Sequence, residues 1–324
     1  MKKRIILFLL VFLLTGCAAV AEETQPVTVP TEAVPETVPA PAIEAEAVAL
    51  VEEVPPPTGV VLEPEAPGEL EERCDVAVVD YSNGSEGYIM VLYSGETDKR
   101  LKVLLQGPTT TYNYDLPQGE WVVLPLSDGD GTYRAGVYRN VQGSEYAMVM
   151  LAEFSVTLTD EFAPFLRPNQ YVNYLTAPNT VATGAALCQG LEGALEKVAA
   201  VYDYVVRNLS YDDEKAATVQ SGYLPDLDHI LEIKKGICFD YASMMTAMLR
   251  SQEVPCKLVV GYAGNIYHAW ISIWTEENGW VDGAIFFDGH AWKRMDPTFV
   301  SSAEDRQEIL DFVENGNYRV KYLY

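Results

Sequence analysis

The second half of the chain contains a cysteine, a histidine and an aspartate, the three residue types that together form an activated thiol nucleophile. Cys238 stands in the run Gly236-Ile-Cys-Phe-Asp-Tyr-Ala, at the predicted start of a helix, where unpaired backbone amides favour the thiolate. His268 lies in an aromatic segment with the pattern of a strand, and Asp296 ends a later one. Cysteine, base and orienting carboxylate together suit attack on an acyl carbon. Taken singly, the same residues also fit a core cysteine, a core histidine and a turn-capping aspartate.

The chain has 3 histidines, and strand geometry favours His268 as the candidate base. His290 precedes Asp296 on the same predicted strand by about 20 Å at 3.3 Å per residue, too far for a hydrogen bond. His268 lies on a different strand, so sheet pairing can bring it beside that carboxylate. His229 is predicted on a short helix without a matching strand, and Asp282 precedes a glycine and is interpreted as a turn residue.

The elements predicted around these residues are helices followed by antiparallel strands. Apolar residues at helical spacing predict one helix ending near Asn208 and another beginning around Cys238. The remaining predicted elements are a helix at 228–233, strands at 257–262, 267–274, around Trp280 and at 291–296, a helix at 302–314 and a strand at 318–324. This order indicates an α+β fold.

Residues 74–160 have the pattern of a small β-sandwich. Strands are predicted at 75–81, 87–93, 100–106, 121–126, 133–139 and 147–158. Asn83-Gly84 predicts a type I′ hairpin turn. The run Asp130-Gly-Thr-Tyr133 resembles the tyrosine corner of immunoglobulin-like domains. The stretch around Asp128 lacks the later ligands of an EF-hand, so we expect no chemistry in this region.

The first residues read as an export signal. Lys2, Lys3 and Arg4 precede an apolar run from 5 to 14, which is half the length needed to span a bilayer. Leu14-Thr-Gly-Cys17 resembles a bacterial lipobox, so we expect 1–16 to be removed and Cys17 to carry a lipid. An ordinary secretory signal with an incidental cysteine is the alternative. These residues predict a protein tethered to the outer face of the cell membrane.

A linker is predicted between this anchor and the folded part. Residues 18–73 hold 10 of the 19 prolines and 13 glutamates, a composition that cannot bury enough apolar surface to fold. We therefore divide the chain into a signal peptide (1–16), a lipid-anchored linker (17–73), a sandwich (74–160) and an α+β domain (161–324). The linker fits a stalk, or alternatively a passive tail.

The composition excludes several classes of function. With 22 Lys and Arg against 47 Asp and Glu, the net charge is −25, which opposes binding to nucleic acid or to an anionic membrane surface. No Cys/His spacing suits zinc, and no cofactor motif is present. Once Cys17 and Cys238 are set aside, Cys74, Cys188 and Cys256 remain, which allow at most one disulfide.

Three ordered motifs carry a family resemblance. Gly236-x-Cys238-x-Asp240-Tyr-Ala, Tyr267-His-Ala-Trp270 and Met295-Asp-Pro-Thr298 resemble the bacterial transglutaminase-like superfamily, which has a papain-like fold. The resemblance covers about 195–300. It implies Cys238 as nucleophile, His268 as base and acid, and Asp296 as the residue that orients the imidazole.

The resemblance implies an enzyme that transfers acyl groups from peptide, protein or cell-wall amides through a cysteine thioester. Ile237 and Phe239 stand where the animal cross-linking enzymes have Gln and Trp, which argues against protein cross-linking. The segment 281–289 also separates the usual Trp-containing hairpin from the aspartate strand. The alternative function is a non-catalytic adhesion or scaffold module, since a fold alone does not decide activity.

Overall fold

The computed structural model describes residues 58–282, 285–287, 292–294 and 318–324. Within this part of the chain, no helix is both long and apolar enough to span a bilayer. Buried side chains from the β-rich first half and from the later mixed half belong to one continuous apolar core. The two halves are therefore packed on each other.

The first half consists of two antiparallel sheets of four strands each. The first has the order β1-β2-β3-β6, and its strands are Glu71–Arg73, Ala77–Asp80, Tyr88–Tyr93 and Val122–Pro125. The second has the order β5-β4-β7-β8, and in chain order its strands β4, β5, β7 and β8 are Leu101–Gln106, Thr111–Asp115, Gly131–Gln142 and Glu145–Val156. On β4, Leu101, Val103 and Leu105 are buried while alternate residues face outward. The period of two places one face of the sheet in the core.

The six predicted strands of this region occur with shifted ends, and two strands were missed. One is β1, which pairs with β2 although it falls in the segment 17–73 that was predicted to be a linker; the other is β5. In β5, two buried tyrosines alternate with polar residues that face outward. The strand was not predicted because its sequence is short and mostly polar. The predicted type I′ turn at Asn83-Gly84 is wrong. Asn83 has a φ of −96° and precedes the 3₁₀ helix Gly84–Glu86, whereas a type I′ turn needs positive φ at both central residues.

The loops at one end of the sandwich are fixed by side-chain hydrogen bonds. The Tyr133 hydroxyl donates to the Gly129 carbonyl oxygen at 2.8 Å, the bond expected of a tyrosine corner. The Asp128 carboxylate accepts from the backbone of Thr109 and Thr110 at 2.9 and 2.7 Å. Asp128 therefore stabilises a turn.

The second half begins with five helices, of which the last is central. They are α1 Pro178–Leu187, α2 Ala194–Asn208, α3 Asp213–Thr218, α4 Leu227–Ile233 and α5 Cys238–Arg250. From Asp240 to Arg250 every residue of α5 is buried, as expected of a helix surrounded by other elements. α1 and α2 pack against it. Gly184 allows the close approach of α1, because a Cβ there would lie 3.1 Å from the Met248 Cα.

An antiparallel sheet of order β13-β12-β11-β16 lies against α5. In chain order its strands are β11 Cys256–Ala263, β12 Ile266–Thr275, β13 Gly279–Asp282 and β16 Tyr318–Leu323. Two short pairs complete the described strands: parallel β9 Ser210–Tyr211 with β10 Lys235–Gly236, and antiparallel β14 Ile285–Phe287 with β15 Trp292–Arg294. The strands predicted at 257–262 and 267–274 coincide with β11 and β12. The helix predicted at 302–314 lies outside the described residues.

A buried arginine joins the end of α5 to three other segments. The Arg250 side chain is fully buried and donates to the carbonyl oxygens of Cys256 at 2.9 Å, Arg167 at 2.6 Å and Tyr324 at 2.6 Å. A buried donor that satisfies several carbonyls is costly to remove. Arg250 therefore fixes β11 and β16 relative to the central helix.

We expect Arg250→Leu to lower the free energy of unfolding by about 3 kcal/mol or more, since three carbonyls would lose their donor at roughly 1–3 kcal/mol each. Urea unfolding followed by tryptophan fluorescence measures this difference. Arg207→Leu is the matched control: its guanidinium is exposed and paired with Asp203 at 2.9 Å, so its loss costs about 0.5 kcal/mol. Equal unfolding midpoints for the two variants would contradict the role assigned to Arg250.

Candidate active site

A cavity of about 630 Å³ lies where the central helix, the second-half sheet and the β-sandwich meet. Both Cys238 and His268 line it. Aromatic side chains make up much of the remaining wall: Tyr171, Tyr211, Tyr223, Phe239, Tyr267, Tyr322 and Tyr324. The structure thus brings two of the three predicted catalytic residues to one apolar-walled space.

Cys238 is the first residue of α5 and is half-buried. Ile237 precedes it with extended backbone, at φ −99° and ψ 175°. The Asp240 carboxylate accepts a hydrogen bond from the Ile237 amide at 2.9 Å. This return bond from the third helical residue fixes the first turn, and it places the thiol at the positive end of the helix dipole, as the sequence predicted.

His268 lies on β12, where only 4% of the residue is exposed. Its ring stacks near Trp270, with 6.2 Å between the ring centroids. Gly261 is its partner on β11, and a Cβ there would collide with the Arg319 carbonyl of β16. Glycine at this position therefore lets β16 approach, which brings Tyr322 and Tyr324 to the cavity wall.

Tyr267 lies between the candidate nucleophile and β16. Partial burial raises the pKa of Tyr267; the charge of Lys321 lowers that pKa, and the negative charge of a Cys238 thiolate raises it. Lys321 and Cys238 thus both lie within electrostatic reach of one hydroxyl.

A buried carboxylate holds another wall of the cavity. Asp240 is fully buried and accepts from Lys215 Nζ at 2.5 Å and from the Tyr223 hydroxyl at 2.6 Å. Burial, followed by the hydrogen bond to Asp240, raises the pKa of Tyr223. Residues 216 and 219–223 line the cavity, so this cluster ties that wall to the turn that presents Cys238.

Sequence reasoning missed these partners of Asp240. In the sequence, Asp240 stands out only as part of the motif around Cys238. Its place three residues after the helix N-cap is nevertheless the position of a capping-box acid. Nothing in the sequence pairs Lys215 or Tyr223 with it, because those contacts depend on how α3 and its following loop fold back.

Of the other predicted candidates, two are described by the structure, and neither is among the residues that line the cavity. His290 and Asp296 lie outside the described residues. His229 is on α4 with its side chain 59% exposed, and it is not among the cavity residues. Asp282 is the last residue of β13 and pairs with Ser272, and the residues that would follow it in the predicted turn lie outside the described part of the chain.

The described cysteines are all free thiols, so none of the pairings left open by the sequence is present. Cys188 and Cys256 are buried, whereas Cys74 is exposed. Burial raises the pKa of Cys188, and it raises the pKa of Cys256 to about 11. Among the described residues, no group of three or more His, Cys, Asp or Glu side chains is placed to hold a metal ion.

The β-sandwich contributes to the cavity, contrary to the expectation that it carries no chemistry. Lys102 of β4 and both Asn113 and Asp115 of β5 line one side. In the sheet, Lys102 is directly opposite Asp115, so these side chains share its outer face. The cause is tertiary packing, which the strand pattern alone does not reveal.

Comparisons with known proteins find similarity to one family model, two curated proteins and several solved structures. Residues 182–283 match the family model described as the Transglutaminase-like superfamily. The uncharacterised protein YebA of Bacillus subtilis is 31% identical over 124 residues, 32% of this chain and 17% of that protein. A protein-glutamine gamma-glutamyltransferase of Pseudomonas aeruginosa is 28% identical over 98 residues, 26% of this chain and 13% of that protein. The crystal structure of the periplasmic domain of TgpA from Pseudomonas aeruginosa, bound to ethylmercury, is 15% identical with a TM-score of 0.33, covering 74% of this chain and 99% of that one.

The matched segment includes Cys238 and His268 and ends before Asp296. The strands that carry Lys102, Asn113 and Asp115 precede it. The chain spans less than a fifth of the length of either curated relative, 17% and 13%. The match to the family model therefore concerns one segment of this chain, from within α1 to just after β13.

Proposed function

We propose that this chain, which carries a transglutaminase-like segment at residues 182–283, is a thiol acyl-transfer enzyme. The observation that carries the proposal is the joint presence of Cys238, at a helix N-terminus, and His268 in one cavity. A helix start favours the thiolate, and an imidazole can accept and return its proton.

In the proposed reaction His268 takes the thiol proton and the Cys238 sulfur attacks the carbonyl carbon of an amide. The C–N bond then breaks, the imidazolium gives its proton to the departing amine, and a thioester remains. Water or a second amine attacks the thioester while the imidazole accepts its proton, and the thiolate leaves. Asp296 is proposed to hold the imidazole in the correct tautomer.

The proposed substrates are peptide, protein or cell-wall amides. The cavity is large enough for a side chain with its flanking backbone. Hydrolysis and transamidation share the thioester and differ only in the acceptor. Ile237 and Phe239 beside the cysteine favour hydrolysis or transfer to a small amine over protein cross-linking.

A capture experiment tests the proposed activity. The full chain is incubated with a mixture of glutamine- and asparagine-containing peptides and hydroxylamine, and mass spectrometry detects hydroxamates and free acids. We expect products with the native chain and none with Cys238→Ala. If the folded native chain forms neither product from any amide, the adhesion or scaffold function becomes the better account.

The architecture preceding the matched segment is proposed to be an immunoglobulin-like sandwich over 74–160, followed by the α+β domain over 161–324. Support comes from the orders of the two sheets, β1-β2-β3-β6 and β5-β4-β7-β8, and from the hydrogen bond of Tyr133 to Gly129. A sandwich of this kind would serve as a rigid wall beside the catalytic cavity.

The enzyme is proposed to act at the outer face of the cell membrane, anchored through a lipid on Cys17. The run Leu14-Thr-Gly-Cys17 after a short apolar stretch supports this anchor. A proline- and glutamate-rich linker would then give the folded part reach from the membrane.

We expect Cys17→Ser to release the protein from membranes or to leave an uncleaved precursor, because the lipid acceptor is lost. Fractionation of cells and the mass of the N-terminal peptide measure both outcomes. Cys74→Ser is the matched control and should stay in the membrane fraction. Cleavage at the same site with unchanged membrane retention of Cys17→Ser would contradict lipid anchoring.

A further inference from the structure

The cavity is cationic in a strongly acidic chain. Its charged lining residues outside the catalytic pair are Lys102, Lys321 and Asp115, while the chain as a whole carries a net charge of −25. Asp115 is already paired, because Arg100 Nη2 donates to its Oδ1 at 3.1 Å. The positive charges of Lys102 and Lys321 are therefore available to attract an anionic group of a ligand in the cavity.

The two lysines belong to different parts of the fold. Lys102 is on the outer face of β4, and Lys321 is on β16 with its ammonium 4.8 Å from the centroid of the Tyr322 ring. Lys321 also lies 5.9 Å from the centroid of the Tyr267 ring, and Tyr267 lines the cavity together with Cys238. Both lysines therefore line the cavity that contains the thiol, and the Lys102 ammonium also lies 5.7 Å from the centroid of the Tyr146 ring, which is outside the lining.

Asp115, the carboxylate among the charged lining residues, has little room to bind a cationic substrate. Its second oxygen lies against Gly222, where even a Cβ would collide with it. A cavity whose lining carries an excess of positive charge attracts groups of the opposite sign.

We propose that the amide substrate carries a carboxylate close to the reacting group, and that Lys102 and Lys321 are specificity-determining residues that bind it. This substrate class, an acidic peptide amide, rests on the proposed acyl-transfer function. Lys102 lies outside the matched segment, so this selectivity would come from the β-sandwich and the last strand.

Alkylation of Cys238 tests the cationic cavity without requiring turnover. The thiolate forms a bond to carbon and expels iodide from either iodoacetate or iodoacetamide. The ratio of the two rate constants reports the local charge, since any change in the thiolate fraction cancels. For the full chain at low salt we expect this ratio to exceed that of free cysteine, and to fall roughly threefold with each of Lys102→Gln and Lys321→Gln, as a unit charge several ångströms away in water predicts.

Two further variants sharpen this measurement. Lys99→Gln is the matched control, because this lysine is paired with Asp98 at 3.1 Å and does not line the cavity; its ratio should equal that of the native chain. Arg100→Gln leaves Asp115 unpaired and should lower the ratio. A ratio unchanged by both lysine variants overturns the proposal.

A comparison of turnover between two substrates is the second test of the proposal. Two peptides that differ only in Glu or Gln beside the reacting glutamine are compared by hydroxamate formation, and we expect the acidic one to be preferred severalfold, with the preference lost in Lys102→Gln. Turnover without such a preference overturns the proposal and leaves the acyl-transfer function standing. A raised alkylation ratio without any turnover supports the cationic site while the proposed enzymatic function fails.

Discussion

Replacing Cys238 with alanine is expected to lower acyl transfer by on the order of 10⁴-fold or more, as the loss of a nucleophile does in other covalent enzymes. The physical reason is that no other described thiol can substitute: Cys188 and Cys256 are buried, and Cys74 is not among the cavity residues. Hydroxamate formation per unit of folded protein measures the loss.

Cys74→Ala provides the control for this experiment. It removes the exposed thiol without touching the cavity, so its activity should equal that of the native chain. If Cys238→Ala keeps more than a few per cent of the native rate, the thioester mechanism is wrong.

The second large effect is expected from His268→Ala, which should cost on the order of 10²-fold or more in turnover. The imidazole is buried beside the thiol's cavity, where it can both accept and return a proton. Asp296→Asn should change the rate in the same direction, because an imidazole in the wrong tautomer cannot accept the thiol proton. Rates of hydroxamate formation and of iodoacetamide labelling at neutral pH measure the effect.

His290→Ala is the matched comparison, since both histidines stand in a His-Ala-Trp triplet. It should leave both rates largely unchanged. Circular dichroism must show that each variant is folded, because His268 also packs on β12 beside Trp270. Loss of labelling in His290→Ala with full labelling in His268→Ala would contradict the assignment of the base.

The parts of the site that could be predicted from the sequence are those encoded by local patterns. The position of Cys238 at a helix start follows from helical periodicity after Gly236, and β12 follows from the run of aromatic and β-branched residues around His268. Both signals need only neighbouring residues. The shared cavity then follows from α5 packing against β12.

The parts that could not be predicted depend on contacts between distant segments. Lys102 and Asp115 reach the cavity only because the sandwich packs beside the central helix. Lys215 finds Asp240 across 25 residues of chain. At Asn83 the local signal itself misled, because the backbone there forms a 3₁₀ turn that closes at Gly87 with a φ of 83°.

Selective labelling of the native thiols tests the central claim most directly. Limiting iodoacetamide is added to the folded chain from pH 6 to pH 9, and the adducts are mapped by mass spectrometry. Cys256, whose pKa burial raises to about 11, stays protonated in this range. If Cys238 is an activated nucleophile, it should be labelled before the more exposed Cys74 at pH 6–7, and the difference should disappear in His268→Ala. Labelling of Cys74 first at every pH, with Cys238 unreactive until the protein is unfolded, would contradict the account.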